Sequence, residues 1–178
     1  MKYIMLLICL SSMASAKNNK NLPKTLAYES NDYFLCKQHT IRYAYFIKVA
    51  YVGLYLNDCS LKESLLNIDD KIIRFNYQVN VEATVFSEAA EEFYVKNLKS
   101  EQADKTLSEL KNFNKFYVNI SASDWYDLYH KKGEKLQLYK NNKLLGSSFN
   151  KYFSSNYFNI WFGKHPAIKK LKQSFIKS

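Results

Sequence analysis

The sequence predicts an α+β domain, a sheet with helices on one side, and three observations predict it. A long strand-like run is followed by a cleanly alternating one, the period then changes to that of two amphipathic helices, and short strands return before a helical C-terminus. The resulting element order is β-β-α-α-β-β-β-α-α.

The first strand is Ile41 to Leu56, IRYAYFIKVAYVGLYL, rich in β-branched and aromatic residues and apolar on both alternating faces. That is the pattern of a strand covered on both sides. Counting by twos, Arg42, Ala44, Phe46, Lys48, Ala50 and Val52 share one face, which sets one of the chain's two arginines inside a core strand beside small side chains. A guanidinium that cannot lose its proton, so placed, is a natural anchor for a carboxylate or another oxyanion. The plainer alternative is an arginine paired with a protein carboxylate or with backbone carbonyls at the strand's start.

Lys71 to Val81 alternates, with Ile73, Phe75, Tyr77, Val79 and Val81 on one face and Arg74, Asn76, Gln78 and Asn80 on a wet one. Next, Phe86, Ala89, Ala90, Phe93 and Asn97 recur at helical spacing, with Thr84 or Ser87 available as a cap. A second helix starts near Ser100 and carries Ala103, Leu107, Leu110 and Phe113. Strands follow over Trp125 to His130, Glu134 to Lys140 and Lys143 to Ser147, joined by turns at Lys131-Lys132-Gly133 and Asn141-Asn142. A third helix spans about Phe149 to Phe162 and stops at Gly163, and a last one opens at His165-Pro166.

The amino terminus reads as a signal peptide over residues 1–16: Lys2 precedes the apolar run Ile4 to Leu10, which leads to Ala14-Ser15-Ala16. Cleavage after Ala16 places the mature chain outside the cytoplasm, periplasmic or secreted. Residues 17–30 read as a flexible leader and 31–178 as a single domain. Export leaves Cys36 and Cys59 as an even pair, a possible disulfide; two small buried thiols are the alternative. The formal charge of +10 is carried mostly by lysines interspersed with acids, which describes a solvated surface. Lysine without arginine is the poorer choice for phosphate forks, and no recognition motif is present, so nucleic acid is not expected. Pro166 to Lys177 places Ile168, Leu171 and Phe175 on one helical face amid lysines, which suits docking on the core, with at most weak contact to an anionic membrane surface.

Catalytic machinery is hard to find. His39, His130 and His165 are far apart and at no ligand spacing, so no metal site is expected. There is no Gly-x-Ser-x-Gly elbow, and four glycines exclude a glycine-rich phosphate loop, so no cofactor is expected either.

Five blocks in order, Thr40-Ile41-Arg42, Phe46 to Leu56, Phe86-Ser87-Glu88 through Asn97-Leu98, Asn142 to Gly146, and Ile160 to Pro166, resemble the chalcone isomerase-like family in its bacterial exported branch. The resemblance implies an open-faced β-sandwich, a large antiparallel sheet under a helical layer with a ligand cleft between them. The family contains enzymes that cyclise chalcones and non-catalytic members that bind fatty acids. Arg42 resembles the family's cleft arginine, which holds a carboxylate in the binders. The enzymes' threonine five residues before Tyr55 is here Ala50, the tyrosine that enzymes and fatty-acid binders alike place before Ser87-Glu88 is Phe86, the enzymes' asparagine a helical turn further is Phe93, and their polar residue three before Gly163 is Ile160, so the chain departs from the binders as well at Phe86.

Each replacement removes a donor or acceptor, and losing such groups costs about 10²-fold or more each in enolate stabilisation. The resemblance therefore implies a non-catalytic protein whose cleft, lined by Arg42, Ala50, Phe86, Phe93, Ile160 and Trp161, takes a fatty acid or similar apolar carboxylate. Core filling with no cavity is the alternative for the apolar positions. Two other functions remain open: an isomerase or intramolecular lyase using Arg42 with Lys48 or Tyr94 as acid, and a lysine-rich envelope-interaction protein.

Overall fold

Alternating apolar residues become seven strands and the 3.6-residue stripes become five helices in the computed structural model, which describes residues 22–44, 46–61, 64–68, 70–131 and 133–176. The segment read as a signal peptide, with the first part of the leader, lies outside the described residues. The strands are β1 Thr25–Tyr28, β2 Asn31–Tyr43, β3 Ile47–Leu56, β4 Lys71–Tyr77, β5 Trp125–Lys131, β6 Lys135–Lys140 and β7 Lys143–Ser148. They form one antiparallel sheet in chain order. The helices are α1 Ala83–Lys96, α2 Ser100–Asn114, α3 Lys151–Tyr157, α4 Asn159–Phe162 and α5 Lys169–Ile176. Among the described residues no helix is long and apolar enough to cross a membrane.

The fold is the curled sheet under helices expected of an open-faced α+β sandwich, with differences that have local causes. Ile41 to Leu56 is two strands rather than one, because the chain reverses at Ala44, which adopts φ 47. Leu22 and Tyr28, both within the stretch 17–30 expected to be a flexible leader, are buried, and Thr25–Tyr28 pairs with β2, so the sheet begins earlier than the sequence suggests. Neither Thr84 nor Ser87 caps α1; the Ala83 N–H instead donates to Asn119 Oδ1 at 2.9 Å. The third helix is broken at Phe158 into α3 and α4, and Asn150 caps α3 by accepting from the Phe153 N–H at 3.0 Å.

Each face of the sheet has its own core. Val52, Leu54, Ile73, Phe75, Tyr126 and Leu128 join the helices in the larger one, while Leu26, Tyr28, Tyr33, Tyr55, Ile72 and Tyr129 form a smaller one behind. Arg74, assigned above to a wet face, lies in that second layer. It is buried and grips the equally buried Asp127 with two hydrogen bonds of 2.6 Å, Nε to Oδ1 and a terminal nitrogen to Oδ2. Tyr28 donates to the same Oδ2 at 2.5 Å.

In a flat sheet β1 and β5 would stand about 19 Å apart at roughly 4.8 Å per strand, so this bond requires the β1 edge to roll over the back face. Burial, then the neighbouring Asp127 charge, pushes the Tyr28 hydroxyl far above its usual range. Burial works against the Arg74 charge, but the Asp127 hydrogen bonds and charge outweigh it and hold the guanidinium protonated.

Cys36, left over at the register shift of β2, is disulfide-bonded to Cys59 in the loop after β3, with Cα atoms 5.1 Å apart. In the chain-entropy model, closing a loop of this size stabilises the fold by roughly 3 kcal/mol.

Asp127→Ala strands a buried cation and is expected to lower the unfolding free energy by about 3–5 kcal/mol in urea denaturation. Arg42→Ala, at an exposed position, should change it by less than about 0.5 kcal/mol.

Candidate functional site

Arg42 is not buried. It is exposed at the outer end of β2, because the chain turns back two residues later rather than running on through the core. The β2–β3 register sets it directly opposite Lys48, also exposed. Like charges facing each other across strands are destabilising. Among the described residues neither cation has an acidic partner.

From this pair the helix-facing side of the sheet turns apolar. Ala50 follows Lys48 on the same face and is paired with Ile41 on one side and Tyr77 on the other. Ala50 is fully buried, Ile41 half so. Tyr77 meets Phe86 of α1 edge-on, ring centroids 5.5 Å apart, and stacks on Phe75, which touches Trp161 of α4 at 5.4 Å. Phe86, Phe93 and Trp161 are half-buried, and Ile160 is buried. Lys96 lies over the Phe93 ring at 5.0 Å. The structure thus links Ala50, Phe86 and Trp161 through Tyr77 and Phe75, and places Arg42 at the solvent edge of the group.

Deeper between sheet and helices the space is filled by rings. Phe86 stacks on Tyr117, Tyr157 contacts Phe113, Phe153 and Trp161, and the Tyr117 and Tyr157 hydroxyls hydrogen-bond at 2.7 Å. Burial raises both phenols far above their usual range. Tyr94, named above as a possible acid, donates to Thr106 Oγ1 of α2 at 3.0 Å, and burial pushes its pKa up to about 12. Its hydroxyl is committed to joining two helices.

Gly163 works differently from the left-handed helix stop that the sequence suggests. Its φ is −68°, and a Cβ would lie 2.3 Å from Asn97 Oδ1. Asn97 exchanges hydrogen bonds with the backbone of His165 at 2.8 and 2.9 Å, clasping α1 to the segment after α4.

Two features escaped the sequence reading. One is the Arg74–Asp127 pair; an acid at an alternating position of the strand that neighbours Arg74 was the available signal. The other is an open surface recess of about 400 Å³ lined by Lys164, Pro166, Lys169, Lys172, Gln173 and Ile176, which includes none of the six expected cleft residues. No group of His, Cys, Asp and Glu among the described residues is arranged to hold a metal.

A family model described as chalcone isomerase-like matches residues 14–176. Among solved structures, a fatty-acid binding protein of Arabidopsis thaliana superposes with a TM-score of 0.65 at 15% identity, covering 87% of this chain and 90% of that one. Among curated proteins none matches.

Tyr117→Phe should leave the buried Tyr157 hydroxyl without its partner and cost about 1–3 kcal/mol by thermal or urea unfolding. Phe86→Leu, which keeps an apolar side chain but gives up ring contacts with Tyr77, Tyr117 and Tyr126, should cost about 1–3 kcal/mol.

Proposed function

We propose that this chain, which belongs to the chalcone isomerase-like family, is an exported, non-catalytic member that binds a fatty acid or similar apolar carboxylate. The carboxylate would sit at the Arg42–Lys48 end of the sheet, with its tail along Ile41, Phe86, Phe93 and Trp161.

The observation that carries this reading is the pair of facing cations without an acidic partner among the described residues, at the head of a half-buried apolar seam. A bound carboxylate turns a repulsive cross-strand pair into an attractive cluster. Because rings fill the depth of the interface, the tail lies in the seam between sheet and helices rather than in a deep tunnel. The Arabidopsis neighbour supports the fold and, through its name, the ligand class.

Catalysis is the weaker reading. Ala50, Phe86, Phe93 and Ile160 bring no polar group to the seam, and Tyr94 is engaged with Thr106. The Cys36–Cys59 bond supports export, since disulfides persist in oxidising compartments. A mature amino terminus at Lys17, read by intact-protein mass, is the check on that part.

Palmitate at about a hundred times its Kd should raise Tm by roughly 5–10 °C, following from about 2.7 kcal/mol of linked stabilisation. Arg42→Ala with Lys48→Ala should weaken binding about tenfold or more while leaving the unliganded Tm in place. Absence of any palmitate effect, together with no lipid in native mass spectra of the purified protein, would overturn the reading.

A further inference from the structure

We propose that the tip of the β2–β3 hairpin is a finger that docks this protein on an anionic phospholipid bilayer. The β3–β4 register ends at Ala50 and Tyr77, with a last backbone bond from the Gln78 N–H to the Val49 carbonyl at 2.8 Å, whereas β2 and β3 stay paired through Arg42 with Lys48 and Tyr43 with Ile47. The last pairs therefore stand beyond the body of the sheet as a two-stranded ribbon, projecting about 10 Å at roughly 3.3 Å per residue. The ribbon closes in a tight bend in which the Phe46 N–H donates to the Ala44 carbonyl at 2.8 Å, with Ala44 in the left-handed region.

What this bend displays is unusual for a solvated loop. Phe46 is 76% exposed, more than any other large apolar side chain among the described residues, and Tyr43 is 53% exposed. Arg42 and Lys48 stand one pair further in, on a chain whose net charge is +10. Aromatic rings that sink to headgroup level, flanked by cations attracted to anionic lipid, are the combination that surface-seeking segments use.

Size decides between lipid and protein. One hairpin tip offers far less than the roughly 1,000 Å² that a specific protein interface needs. A bilayer asks for less area. There each buried CH₂ contributes about 0.8 kcal/mol and each nearby cation about 1 kcal/mol. The finger rests on the ligand reading only in sharing Arg42 and Lys48, and it gives that reading a source, since a fatty acid partitions into the same bilayer.

Tryptophan placed by Phe46→Trp in the full chain reports on the tip directly, against the background of Trp125 and Trp161 in the unsubstituted chain. With vesicles of phosphatidylglycerol and phosphatidylcholine, the added emission should shift to the blue, be quenched by brominated acyl chains, and revert as salt is raised. Vesicles of phosphatidylcholine alone should give little shift. Emission unmoved by anionic vesicles, or moved equally by neutral ones, overturns the proposal.

In a second arm, Tyr43→Ser with Phe46→Ser should lower vesicle affinity at least about tenfold while the palmitate response stays as in the unsubstituted chain. Undiminished affinity also overturns the finger. A chain that docks through Phe46 yet shows no palmitate response leaves the finger standing and removes the ligand reading, so the two fail separately.

Discussion

A guanidinium taken out of water is tolerable only with its counter-ion in hand, and Arg74 holds Asp127 by both of that carboxylate's oxygens. The same carboxylate accepts a third bond from Tyr28, which belongs to a strand separated from it by β2, β3 and β4 in the sheet order. One acid therefore fixes the register between β4 and β5 and also draws the β1 edge over the back of the sheet. Around it, Tyr28 packs on Tyr129 and Tyr139, Tyr33 donates to the Tyr129 hydroxyl at 3.1 Å, and Tyr55 donates to the Pro23 carbonyl at 2.9 Å. Nearly every phenol on this face has a partner, as buried polar groups require. The charge at the centre is thus consumed by architecture, and whatever binds an anion must use other cations.

On the helix side the relation between polarity and packing is reversed. On this side the hydroxyls of Tyr117, Tyr157, Tyr94 and Tyr126 are turned on one another, on Thr106 or on the Val118 backbone, and Tyr77 adds a buried phenol among the rings of Phe75, Phe86 and Tyr126. Stabilising a developing enolate calls for donors aimed at empty space where charge will appear. Here four of the donors are spent on cohesion, and Ala50, Phe86, Phe93 and Ile160 bring no further donor. The space between sheet and helices is given over to ring packing.

The parts of the fold that were legible in the sequence are those set by local periodicity. The β5–β6–β7 meander, its Asn141-Asn142 turn with both residues at positive φ, and the α1–α2 pair all follow from spacing and turn chemistry. What was illegible depended on distant segments. Period-2 alternation correctly put Arg74 opposite Phe75 and Tyr77, but it cannot say whether a polar face is wet or roofed. That answer lay in Tyr28, fifty or so residues away and hidden in a polar context.

The β2–β3 reversal carries no Gly, Pro, Asn or Asp among its described residues; an alanine in the left-handed region gives no warning, so the apolar run reads as one strand. An interior Arg42 depends on that run being continuous, and the reversal leaves it exposed at the end of β2. Of the candidate site, the apolar positions were legible and the place of the cation was not.

Moving Arg42 from the interior to the rim changes what a site here can be. A cation deep in a cleft selects a ligand that enters head first, whereas under the proposed reading a cation pair at the lip, with apolar surface both inward along the seam and outward at the hairpin tip, suits a molecule that slides in tail first from an apolar phase. The five sequence blocks that carry the family likeness fit this division of labour. Asn97 and the Gly163–His165 stretch, from two of those blocks, are spent on clasping the helical layer through hydrogen bonds and a contact too close for a Cβ. The block ending at Arg42 and the one beginning at Phe46 meet at the bend itself. The first two blocks supply frame and the second two supply edge, and it is at the edge that two cations without an acidic partner among the described residues stand beside an exposed ring.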